Sequence, residues 1–200
     1  MKIYDISQEV LSCNVYPGDP KPQKKTLCSM LNGDLYNLTS FNMCSHNGTH
    51  IDAPFHFIQN GKTVDQITLE SVVGMAYVAY HNGILSGEDA SDILRKAKEI
   101  NVESSKRILI KGNAVVSIEA ARIFKDANVL LLGNESQTVG PEDAPMEVHL
   151  TLLGAEVILL EGINLKEVPE GVYLLNAVPL NLAGFDGSPC RAILIDGIKY

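Results

Sequence analysis

The segment Cys44–Phe57, CSHNGTHIDAPFHF, holds three of the chain's five histidines and an aspartate. His46, His50, Asp52 and His56 are residue types that bind divalent cations or move protons. Neutral imidazoles and a carboxylate together suit zinc, manganese or iron. Gathering several titratable groups in one place is costly unless a cation organises them. All four stand at even positions, so an extended chain would offer them to one side. The odd positions from Ile51 onward, Ala53, Phe55 and Phe57, are apolar and can anchor in a core. Gly48 and Pro54 argue against a helix here, and Gly48 would let the backbone approach closely. The cluster implies a metal centre without deciding between a structural and a catalytic one.

A second patch, HLTLLGAEVILLEGINL, carries His149 on a helix and Glu161 at the end of an apolar strand. A carboxylate closing such a strand is out of place unless it binds something, and strand carboxyl ends commonly carry sites in α/β folds.

The elements that must position these residues read as follows. KIYDIS is an opening strand, and NVYPGDPKP is a loop because Pro17-Gly18 and Asp19-Pro20 are turn signals. KKTLCSML and LYNLTSFNMC carry β-branched and aromatic residues with partial alternation, GMAYVAYH alternates cleanly, and all three read as strands. EDASDILRKAKEI is a helix with Ile93, Leu94, Ala97 and Ile100 at helical spacing. RILIK is a strand, and SIEAARIFKDA is a helix capped by Ser117. NVLLLG is a buried strand. APMEVHLTLLG is a helix that starts near Pro145 and stops near Gly154. EVILLEG, GVYLLNAV and RAILID complete the strands. The first half is mostly β and the second alternates helix and strand. The fold class is therefore α+β, a mixed sheet with helices on one side and further strands on the other.

Two hundred residues, 46% hydrophobic and 20% charged, suit a single domain over residues 1–200 with a core that needs no staples. A net charge of −8 without any basic run argues against nucleic acid or an anionic membrane as partner. The opening residues do not form a signal peptide, and no apolar run is long enough to span a bilayer. Cys13, Cys28, Cys44 and Cys190 show no C-x-x-C spacing, so free thiols in a cytoplasmic protein are expected. No P-loop, G-x-S-x-G elbow or dinucleotide fingerprint is present.

HNGTHIDAPFH, residues 46–56, resembles the H-x-G-T-H-x-D-x-P-x-H signature of the cyclase-like metal-dependent hydrolases, the family of bacterial kynurenine formamidase and isatin hydrolase. The resemblance continues in DISQEVLSCNVYPGDP, in the His149–Glu161 stretch and in the closing FDGSPCRAI. It implies a swivelling β/β/α three-layer fold and one or two divalent ions per subunit, zinc first and manganese second. It implies His46, His50 and Asp52 as ligands of one metal, with Asp52 bridging to a second held by His149 and Glu161. His56 would be the proton-transfer residue. A homodimer or higher homo-oligomer and a small-molecule substrate are further implications. Two departures stand out. Tyr16 replaces the family's usual tryptophan before PGD, a position expected to contact substrate. GNESQTVGP, residues 133–141, departs from the usual G-x-D-S-P-S-V-D-P, with Glu135 for an aspartate and Gly140 for another.

The expected chemistry is hydrolysis of an amide or cyclic amide, N-formylkynurenine leading. An isatin-like ring, a lactone or another small amide is the first alternative, and a metal- or ligand-binding protein without turnover is the second. Locally, His81 reads as structural or exposed, Cys44 as a packed thiol, and Asp186 in FDGS as a turn residue. Arg191 reads as pairing with a carboxylate or capping a strand.

Overall fold

The computed structural model describes residues 1–197. In chain order its strands are β1 Lys2–Asp5, β2 Gln23–Cys28, β3 Leu38–Asn42, β4 His50–Asp52, β5 Val73–Tyr80, β6 Gly83–Leu85 and β7 Arg107–Lys111. They continue with β8 Ala114–Val116, β9 Leu131–Asn134, β10 Ile158–Glu161, β11 Gly171–Asn176, β12 Gly187–Pro189 and β13 Ile193–Asp196. The α-helices are α1 Leu69–Val72, α2 Gly87–Ile100, α3 Ile118–Asp126 and α4 Met146–Leu153.

The helices begin where local chemistry says they should. Ser86 caps α2 and exchanges hydrogen bonds with Asp89, satisfying two otherwise orphaned N–H groups. Ser117 caps α3 by accepting from the Ala120 N–H at 3.1 Å. Ala90, Ile93, Leu94 and Ala97 form the buried stripe of α2. Ile100 keeps the helical spacing yet is exposed, as the last residue of the helix.

Within the described residues, nine strands form one mixed sheet in the order β1-β13-β11-β5-β7-β9-β10-β4-β12. Its centre, β5-β7-β9-β10, is parallel, and the strands on either side run antiparallel. Successive parallel strands are added in one direction, and right-handed crossovers then put all their connecting helices on one face. One core accordingly joins Ile108, Ile110, Leu132 and Leu159 to Ala90, Phe124 and Leu152 of α2, α3 and α4. The alternating residues Leu109, Leu131 and Leu160 point the other way. There they meet Ile51 of β4 and Leu175 and Leu194 of β11 and β13. Strands from opposite ends of the sheet share one core, so the sheet curls over itself. Two β layers and one helical layer result, the β/β/α arrangement of an α+β fold. This double coverage explains why the central strands are apolar without alternation.

Two small additions lie outside this sheet. β6 and β8 pair in parallel, and β2 and β3 form an antiparallel ribbon whose residues are almost all exposed. No described helix is long and apolar enough to cross a membrane.

Candidate metal centre

β4 lies between β10 and β12, and this register assembles the site. His50 pairs with Glu161, and Asp52 pairs with Leu159 on one side and Gly187 on the other. Paired residues project to the same face of a sheet, and so do residues two apart on one strand. His50, Asp52 and Glu161 therefore share one face at the carboxyl end of β10, while Ile51 enters the core. α4 adds His149 from above. His50, Asp52, His149 and Glu161 are all buried.

The extended-chain reading of Cys44–Phe57 needs correction. Only His50–Asp52 is strand; Pro54–His56 is a turn of 3₁₀ helix, and Gly48 adopts φ +67°. Parity therefore does not place His46 and His56. The left-handed turn at Gly48 folds His46 back beside Asp52, and the 3₁₀ turn swings His56 onto the His46 ring, with centroids 3.9 Å apart. Gly187 makes room for this. A Cβ there would come 2.5 Å from His46 Cε1 and 2.9 Å from the Ile51 carbonyl. Gly187→Ala is expected to displace His46 and weaken divalent-metal affinity while the protein stays folded. Metal titration with circular dichroism on the same sample checks this, and wild-type affinity in the variant would refute it.

Backbone carbonyls fix the imidazole tautomers. His50 Nδ1 donates to Gly48 O at 3.0 Å, and His149 Nδ1 donates to Pro145 O at 2.8 Å. Each leaves Nε2 facing the carboxylates, as ligating histidines do. His50 Nε2 lies 3.2 Å from Asp52 Oδ1 and 3.5 Å from Glu161 Oε2. His149 Nε2 lies 3.4 Å from Glu161 Oε1 and 3.9 Å from Asp52 Oδ2. His46 Nδ1 lies 2.8 Å from Asp52 Oδ1. Three groups thus bring ligand atoms within 4.8 Å of one another: the two buried triads His46-His50-Asp52 and Asp52-His149-Glu161, which share Asp52, and the half-buried His46-His56-Asp186. His50 Nε2 and Asp52 Oδ2 are buried with no hydrogen-bond partner. Orphaned polar atoms are costly in a protein interior. Three imidazoles and two carboxylates in two triads that share Asp52, with unmatched lone pairs, fit one or two divalent cations.

In the metal-free state protons partly take the cation's place. Burial pushes His46 and His50 toward neutrality. The carboxylates outweigh it: Asp186 and Asp52 hold His46 at about 9, and Asp52 and Glu161 hold His50 at about 10. Burial pushes Asp52 up, but the His46 and His50 rings hold it well below the usual carboxylate range. Raised histidine values add stability that is complete below 6.5 and fades as pH rises through 9 to 10. The lowered Asp52 adds stability that fades as pH falls below 3.8. Metal-stripped protein is therefore expected to lose Tm between neutral pH and pH 10, which calorimetry can follow. A flat profile over that range would contradict the assignment.

Above the triads lies a cavity of about 290 Å³ lined by His46, His50, His56, His149, Glu161, Tyr16, Asp19, Phe57, Gln137, Thr138 and Pro145. Tyr16 donates to the Glu142 carbonyl at 3.1 Å, which ties the N-terminal loop across the cavity. The 133–141 loop contributes to the cavity wall. Gln137 and Thr138 line the cavity, whereas Glu135 faces away and clamps the fold by accepting from Gly112 N and Leu165 N, both at 2.7 Å.

One residue of the cluster escaped sequence reasoning. Asp186 accepts from Ser45 Oγ at 3.1 Å, and its Oδ2 lies 2.9 Å from His46 Nε2 and 3.4 Å from His56 Nδ1. The FDGS context favours a turn and masked this. The available signal was that two histidines at the site each needed a carboxylate partner. Arg191 pairs with Asp5 on the exposed surface, away from the site. His81 is half-buried and its ring bonds the Ile84 carbonyl, in keeping with a structural role.

A curled β/β/α fold with a buried histidine–carboxylate centre under a small cavity defines a metal-dependent hydrolase. The chain belongs to the cyclase family, whose model, described as "Putative cyclase", matches residues 4–141. The kynurenine formamidase of Salinibacter ruber (strain DSM 13855 / M31) is 34% identical, covering 98% of both chains. A solved structure described as a potential metal-dependent hydrolase with cyclase activity superposes with a TM-score of 0.83 at 27% identity, covering 99% of both chains. Isatin hydrolase A from Labrenzia aggregata shares the fold, with a TM-score of 0.81 at 20% identity over 98% of this chain and 94% of that one.

Proposed function

We propose that this protein is an arylformamidase that hydrolyses N-formylkynurenine, with water, to formate and kynurenine. The observation that carries the reading is the convergence of His46, His50, Asp52, His149 and Glu161 beside His56, which lines the same cavity. Full-length similarity to kynurenine formamidases supports it. The five residues would hold one or two divalent ions, and zinc suits their imidazole and carboxylate donors best. Such an ion supplies Lewis acidity, lowering the pKa of water toward neutrality and polarising the amide carbonyl.

The chain's own residues do the rest. The carbonyls of Gly48 and Pro145 keep His50 and His149 with Nε2 inward. Val139 N donates to Glu161 Oε1 at 2.7 Å and fixes that carboxylate's angle. His56 lies outside both buried triads and next to open cavity, with Asp186 at its Nδ1. From Nε2 it would take a proton from the nucleophilic water and pass it to the departing aniline nitrogen. Tyr16 and Phe57 would close over the aryl ring and exclude bulk water.

Metal-stripped protein, assayed by absorbance on N-formylkynurenine and isatin with zinc or manganese restored separately, tests the reading. Metal-dependent release of kynurenine is expected. Turnover of isatin alone would move the protein to that branch, and no metal-dependent rate would remove the enzyme assignment.

We also propose that the protein acts in the cytoplasm as a homo-oligomer. Four free cysteines support the first. The β2–β3 ribbon supports the second, since it leaves Leu27, Leu31, Leu35 and Phe41 exposed and a lone two-stranded ribbon is marginal in water. Light scattering on the purified protein tests the oligomer, and a monomer at micromolar concentration would refute it.

A further inference from the structure

We infer that Asp186 is a positioning residue that sets both His46, for metal binding, and His56, for proton transfer. The inference rests on the metal-centre reading above. His46 presents Nδ1 toward Asp52 Oδ1 at 2.8 Å, the side on which His50 also lies. Its opposite nitrogen, Nε2, points at Asp186 Oδ2 at 2.9 Å. A proton held on Nε2 by this carboxylate leaves the Nδ1 lone pair for the cation, the arrangement by which outer carboxylates orient and strengthen metal-bound histidines. The same oxygen stands 3.4 Å from His56 Nδ1. A proton held there leaves His56 Nε2 as the basic nitrogen, and the stacking of the two rings at 3.9 Å keeps both within reach of one carboxylate.

The carboxylate is itself held. The Asp186 carbonyl accepts from Ala53 N at 2.9 Å, and the Phe185 carbonyl accepts from Val64 N at 3.0 Å. Gly184 N donates to Asp65 Oδ1 at 3.0 Å, and Ser45 Oγ donates to Asp186 Oδ1 at 3.1 Å. Asp186 is thereby fixed to the segment that carries His46 and His56, although it lies far from it in sequence.

The test compares Asp186→Ala, the isosteric Asp186→Asn and a control, Glu99→Gln, which removes an exposed carboxylate paired with Arg95 on α2, away from the site. Zinc affinity is read by competition with a chromophoric chelator, and kcat and KM are read on N-formylkynurenine. Asp186→Ala is expected to weaken zinc binding about tenfold to a hundredfold and to lower kcat by at least as much. KM should stay near wild type, and saturating zinc should restore the full metal complement. Asp186→Asn, which keeps an acceptor oxygen, should recover part of both losses, and Glu99→Gln should match wild type. Wild-type affinity and kcat in Asp186→Ala would overturn the inference. So would Glu99→Gln reproducing the losses, or a metal equivalent that saturating zinc never restores, which would make Asp186 a ligand. Wild-type protein that binds no zinc would instead bring down the metal-centre reading, and this inference with it.

Discussion

Asp52→Asn is expected to leave a folded protein with almost no bound metal and a turnover reduced about a thousandfold or more. Asp52 is fully buried and is the one residue common to both ligand triads. Its Oδ1 faces His46 and His50, and its Oδ2 points toward His149 with no hydrogen bond of its own. An amide keeps the shape and the pairing of β4 with β10 and β12, so the sheet should survive. It removes the negative charge against which three imidazoles and a cation are arranged, and it puts an N–H donor where a lone pair is needed. A cation's contribution of several kcal/mol to charge stabilisation then disappears, and each 1.36 kcal/mol is a factor of ten in rate. Metal analysis after dialysis, together with kcat/KM, measures both effects. A variant retaining one full metal equivalent and wild-type rate would show that Asp52 is not the shared ligand.

His56→Ala is expected to separate chemistry from metal binding. His56 is half-buried, stands on the cavity side of His46 and belongs to neither buried triad. Removing it leaves His46, His50, Asp52, His149 and Glu161 in place, so metal content should match wild type. General acid–base groups contribute about 10²–10⁴-fold, and kcat should fall within that range. Since His56 also contacts Phe57 edge-on, with centroids 4.6 Å apart, some loosening of the cavity wall is expected to appear in KM. A substrate with a better leaving amine should recover part of the rate, because it needs protonation less. Unchanged kcat would end the proton-transfer assignment, and lost metal would reclassify His56 as a ligand.

Much of the fold was legible because its signals are local. The capping serine Ser117, the apolar stripe of α2 and the unbroken apolar runs of β9 and β10 each act within a few residues. The same holds for the ligand types: His46, His50, Asp52 and His56 lie in one short segment, and Glu161 ends a strand too apolar to contain it without purpose. The geometry was less legible. Parity suggested an extended chain, but Gly48 and Pro54 divide it into a left-handed turn, a three-residue strand and a 3₁₀ turn. The histidines still converge, because the chain folds back on itself.

The sequence by itself determined the chemistry available: imidazoles and carboxylates in a spacing that suits a divalent cation, on a chain able to bury them. The tertiary structure alone decided which groups meet. The pairing of β4 with β10 sets Glu161 against His50, its pairing with β12 sets Gly187 beside His46, and the loop before β12 brings Asp186 to two histidines. Strand register and loop closure are settled by the burial of whole faces across more than a hundred residues, so no local pattern records them.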